Sequence, residues 1–112
     1  DSIETMTIGS YVISFKAANS VRGDVDVYAH SIGVASYITS KITLQSAPLG
    51  SSSYTNVFGV LPSTYTVYDQ IYIKHLCSFP ISSGKNYRIK IEITDKVNGK
   101  ESTVTLYKTL TR

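Results

Sequence analysis

Tryptophan is absent from this chain of 112 residues, cysteine and methionine occur once each, and proline three times. A lone cysteine, Cys77, cannot form an internal disulfide, so the chain is not a small disulfide-stapled scaffold. Charged residues make up only 17%, where an average domain has roughly a quarter. With 42% apolar residues, that excludes a disordered tail and a coiled coil. Ala, Leu, Glu and Lys do not dominate, which argues against a helical bundle. No apolar run approaches the ~18 residues of a membrane-crossing helix. Gly-x-Ser-x-Gly, phosphate-loop, dinucleotide-loop and His-Glu-x-x-His patterns are all missing. No catalytic residue, cofactor or metal is therefore expected.

The formal net charge is +3, enough for weak attraction to anionic surfaces such as cell wall, glycan or nucleic acid. The densest basic stretch holds Lys85, Arg88, Lys90, Lys96 and Lys100. Glu92 and Asp95 interrupt it, so it reads as a solvated strand face, and specific nucleic-acid binding is not expected. The first residue is Asp1 rather than methionine, which suggests an excised piece or a mature chain after signal removal.

What fills the space left by charge is 16 Ser, 12 Thr and 9 Tyr, arranged with period two. Residues 8–17 read as a strand with Tyr11, Ile13 and Phe15 on one face. Residues 24–30 alternate Val25, Val27 and Ala29 against Asp24, Asp26, Tyr28 and His30. A slip of one residue there would bury both carboxylates, which fixes the register. A turn around Gly33 separates this run from a third strand, 37–45, that buries Ile38, Ile42 and Leu44. A short edge strand at 54–60 follows, then a long strand at 67–79 with Ile71, Ile73, Cys77 and Phe79 inward.

The last two runs, 87–97 and 100–110, flank Asn98-Gly99. Asn-Gly between alternating runs is the strongest short hairpin cue, because a type I′ turn needs positive φ at both positions. A two-residue loop sets Lys96 opposite Glu101, Ile93 opposite Val104 and Ile91 opposite Leu106, so charged and apolar partners match together. It also sets Ile89 opposite Lys108, which calls for a rim position or a bulge. The expected fold is an all-β, antiparallel, immunoglobulin-like β-sandwich of about seven strands in one domain, 1–112. Residues 1–7 are expected to be a flexible or exchanged N-terminal segment. The expected core is Ile13, Phe15, Val25, Val27, Ile38, Ile42, Leu44, Ile71, Ile73, Phe79, Ile89, Ile91, Ile93, Val104 and Leu106.

The stretch Ser83-Gly84-Lys85-Asn86-Tyr87-Arg88-Ile89-Lys90-Ile91 resembles the penultimate strand of immunoglobulin-like and fibronectin-III-like sandwiches. It also resembles small secreted Firmicutes proteins of uncharacterised domain families. These join a serine-rich middle to a Gly-x-x-Tyr-Arg strand and a final hairpin. The antibody-type Cys…Trp…Cys signature is absent. The resemblance implies a sandwich, export, and a Tyr87 hydroxyl bonded to upstream backbone; it implies no activity.

Four features invite a chemical reading. His75 and Cys77 share a strand face, but two ligands fall short of a zinc site and ~6.5–7 Å between their Cα atoms is awkward for a nucleophilic pair. Arg22-Gly23-Asp24 is an adhesive tripeptide when displayed on a loop tip, and an ordinary turn when Asp24 opens a strand. Asp24 and Asp26 read as solvating an exposed face rather than as a catalytic pair. Tyr54, Tyr65, Tyr68 and Tyr72 concentrate around one loop and form the candidate ligand-binding set, because tyrosine joins an apolar body to a polar tip.

The expected function is that of a non-enzymatic, secreted or cell-surface bacterial module for binding or display, its partner a protein or a cell-surface glycan. The second expectation is a structural subunit of a surface fibre, self-associating by β-strand addition through an edge strand or the N-terminal segment.

Overall fold

The computed structural model describes residues 7–112; apart from Thr7, the segment expected to be flexible or exchanged lies outside the described residues. Six strands form one antiparallel sheet: β1 (Ile8–Ala17), β2 (Arg22–Pro48), β3 (Thr55–Asn56), β4 (Ser63–Pro80), β5 (Lys85–Val97) and β6 (Lys100–Thr109). β2 is the spine. Along one edge it pairs first with β1 and then with β5, which carries β6 beyond it; β4 and β3 pair along the other.

The sheet has to curl. At ~3.3 Å per residue, a flat strand of 27 residues would span roughly 90 Å, and the longest dimension of the molecule is 46 Å. The curl is placed where pairing is interrupted, between His30 and Ala35 on β2 and opposite Asp69–Ile71 on β4. Asp69 takes a positive φ of 55° there, as expected of a bulge that sharpens twist and bend. The result is a half-barrel. Phe15, Val25, Val27, Ile73 and Phe79 from one half close on Ile38, Ile42, Leu44, Ile89, Ile91 and Ile93 from the other, in a single buried cluster. A seam joins β1 to the chain just beyond β6: the Ala17 N–H donates to Thr111 O (2.8 Å) and the Thr111 N–H to Phe15 O (2.9 Å).

The all-β antiparallel architecture agrees with the sequence reading; the strand count and the arrangement into two sheets do not. The runs 24–30 and 37–45 are one strand, because Ser31–Ser36 stays extended through a bulge instead of reversing. Six strands in one curled sheet thus replace seven in a sandwich. Only Thr55 and Asn56 of the expected strand 54–60 are in strand conformation. Ile71, expected in the core, is exposed because it lies opposite the bulge, where alternation breaks. Ile13, Val104 and Leu106 are partly buried, as befits edge strands.

The terminal hairpin follows the expected register throughout, from Lys96 opposite Glu101 to Ile89 opposite Lys108. Asn98 and Gly99 have φ of 52° and 78°. Lys108 is exposed, so it occupies the rim and no bulge is needed. Tyr87 is buried and its hydroxyl accepts the Ser82 backbone N–H at 3.1 Å, the upstream contact anticipated for it.

Candidate functional site

β4 is bonded to β2 on both sides of the bulge, and among the described residues its other edge has no partner. This edge carries the largest share of exposed apolar side chains: Tyr65, Tyr68, Ile71, Tyr72 and Leu76. Tyr68 is the most open of them, with 67% of its surface accessible. Tyr65, Thr66, Val67, Tyr68, Gln70, Tyr72 and Lys74 line a groove of about 450 Å³, with Lys74 its one charged group. Three of the four candidate tyrosines are therefore brought together, on one strand.

Their settings differ because the bend changes the phase. Tyr72 lies opposite His30 on the outer face. Its ring stacks on Tyr28 (centroids 5.5 Å) and His30 (5.9 Å), and the Tyr28 hydroxyl is 2.9 Å from His30 Nε2. Tyr68 lies opposite Tyr37. Tyr65 leans the other way, its ring 5.8 Å from that of His75. Tyr54, the fourth, is not in the groove. It precedes β3 and covers one side of the Arg88 guanidinium. The aromatic triad of Tyr28, His30 and Tyr72 was legible only in part: Tyr28 and His30 fall on one outward phase, but nothing local pairs them with Tyr72.

His75 is 4% exposed and held at both nitrogens, Nδ1 by the Ser40 hydroxyl (2.8 Å) and Nε2 by the Ser63 hydroxyl (2.9 Å). Burial keeps its pKa below the ordinary histidine value, so the ring is neutral near pH 7, one nitrogen donating and the other accepting. Burial likewise pushes the Cys77 thiol up, while the Ser63 hydroxyl opposes this in lesser degree. A thiol shifted upward is a poor nucleophile. Among the described residues no three His, Cys, Asp or Glu side chains gather as a metal site.

Arg22-Gly23-Asp24 opens β2 and is paired on both sides, Gly23 with Ala17 and with Phe79. Arg22 Nε donates to Asp24 Oδ1 at 3.0 Å and Ser78 Oγ donates to the same oxygen at 2.8 Å. The tripeptide is a piece of sheet and not a loop tip. Asp95, read from the sequence as part of a solvated basic face, is fully buried. It accepts hydrogen bonds from the hydroxyls of Thr7, Ser31 (2.6 Å) and Ser102 (3.0 Å). The signal was present: Asp95 continues the inward phase of Ile89, Ile91 and Ile93.

No protein-family profile matches the chain, and no curated protein matches it in sequence.

Proposed function

We propose that this protein is a non-enzymatic module, secreted or held at the cell surface, that binds a protein or a cell-surface glycan along the free edge of β4. The observation that carries the reading is the side-chain content of that edge. Proteins that leave an edge unused blunt it with charge, proline or short length. β4 is 18 residues long, and offers Tyr65, Tyr68, Ile71, Tyr72 and Leu76 with a single lysine in the groove. Unpaired backbone groups flanked by amphipathic tyrosines suit either an added peptide strand or a stacked sugar ring. Kinship with immunoglobulin-like sandwiches belongs to the same proposal. It is supported by the Tyr87–Ser82 contact and by the two halves of the curled sheet closing on one core.

The same free edge favours a second reading, a fibre subunit in which a neighbouring copy supplies the added strand. Arrays of extended peptides and of cell-wall glycans, probed with wild type and with a Tyr68→Ser/Tyr72→Ser variant, test the first. Retention of specific features by the wild type, lost in the folded variant, is expected. Features unaffected by the variant would overturn the reading. Sedimentation separates the second: polymers growing with concentration point to a fibre, a monomer at all concentrations removes it.

A further inference from the structure

A second surface lies away from the β4 edge, on the outer face of β2, β5 and β6. Arg88 projects from β5 in the outward phase. Its guanidinium carbon sits 4.4 Å from the ring centroid of Tyr54 and 4.3 Å from that of Tyr107. Its Nε–H donates to Gln45 Oε1 at 2.7 Å, and Gln45 in turn donates from Nε2 to Asn56 Oδ1 at 2.9 Å. Gln45 is buried, so the relay from Asn56 through Gln45 to Arg88 fixes the guanidinium plane.

Such an arrangement holds an arginine in one orientation before any ligand arrives. Two tyrosine rings and Gln45 engage it, yet among the described residues no carboxylate lies within ion-pair distance of it and the only ion pair is Arg22–Asp24. The terminal nitrogens, with four N–H donors in one plane, are left for a partner outside the chain. A planar fork of this kind matches an oxyanion with two coplanar acceptors. Lys90 follows on the same face, ~6.5–7 Å along the strand. Tyr107 remains half exposed beside them.

We propose that Arg88, packed against the rings of Tyr54 and Tyr107, is the anchor of a binding site for an acidic polysaccharide, gripping its carboxylate or sulfate. The topology favours a polysaccharide over a peptide. β5 is paired on both edges, by β2 and β6, so it has no free backbone groups to receive an added strand. Recognition here runs through side chains: a charged fork for the anion and a tyrosine ring for the sugar body. The site does not depend on the proposed role of β4.

Titration calorimetry at low ionic strength tests it, with short oligogalacturonate as the carboxylate probe, dextran sulfate as the sulfate probe and neutral dextran as control. Wild type is expected to bind one or both acidic probes and not dextran; which probe binds identifies the anion. Arg88→Lys keeps the charge but loses the fork, and is expected to weaken binding about tenfold or more. Tyr107→Ser is expected to weaken it several-fold. Lys100→Gln, a change of charge elsewhere, and Tyr68→Ser/Tyr72→Ser are expected to leave it near wild type, the latter separating this site from the β4 edge. Thermal unfolding of each variant verifies the fold. The proposal is overturned by no binding to either acidic probe, by Arg88→Lys binding as wild type does, by Lys100→Gln losing as much, or by polyglutamate binding as tightly through Arg88.

Discussion

Ser31 donates its hydroxyl to Asp95 at 2.6 Å, tying the bend of β2 to the end of β5 beneath the curl of the sheet. Thr7 and Ser102 complete the shell, so one buried carboxylate joins the start of β1, the bulge of β2, β5 and β6. Three hydroxyls satisfy the buried carboxyl oxygens, in the place of water. Asp95→Ala leaves three hydroxyls around a void, and should destabilise the protein by about 3 kcal/mol. Ser31→Ala leaves one oxygen of the buried carboxyl without its donor and should lose about 1–3 kcal/mol. Urea unfolding followed by circular dichroism measures both. Asp95→Asn, keeping one acceptor oxygen, should fall between wild type and Asp95→Ala.

His75 makes stability depend on pH. Its folded-state pKa lies below the unfolded value near 6.5, because burial disfavours the charged ring. Below that value the unfolded chain binds the proton more readily than the native one. The contribution of His75 is therefore fully present above about pH 6.5 and declines as pH falls toward the folded pKa. Ser40 and Ser63 can hold the ring in either state, but among the described residues no carboxylate lies on either nitrogen to offset the burial of an imidazolium charge. In urea titrations between pH ~7.5 and ~5.5 (~one unit either side of 6.5), wild type should lose more stability than His75→Gln, which does not titrate.

Two glycines are required for different reasons. Gly99 holds a φ of 78° in the final hairpin with open space around its α-carbon. Gly99→Ala should therefore lose about 1 kcal/mol through backbone strain alone. Gly23 has ordinary backbone, but a Cβ there would lie 2.6 Å from Phe15 Cε1. Gly23→Ala should lose about 1–3 kcal/mol through overpacking, and a Gly23→Ala/Phe15→Leu double variant should recover part of it. Denaturation midpoints of the three variants separate strain from crowding.

The terminal hairpin was legible to the residue because its turn chemistry, its charged pair and its apolar pairs all name one register. The curl was not. Ser31–Ser36 has the composition of a turn, with two serines and Gly33, and only the pairing of β4 on both sides of it shows that the chain runs on. Losing that continuity turned one spine into two strands, and one curled sheet into a sandwich. Of the four tyrosines grouped by the sequence, Tyr65, Tyr68 and Tyr72 share β4. Tyr54 left the group because Arg88 and Gln45, distant in sequence, draw it to another face. Asp95 shows the reverse case, an acid on an inward phase whose partners come from three other segments.

Docking along β4 requires its outer backbone groups to be open to solvent. Amide hydrogen exchange of the isolated protein, read residue by residue by NMR, tests it directly. The β4 amides that point away from β2 should exchange fast while the alternate amides, bonded to β2, stay protected, at both low and high protein concentration. Equal protection of both sets at every concentration would mean that the edge is already covered within the chain, and would contradict the account.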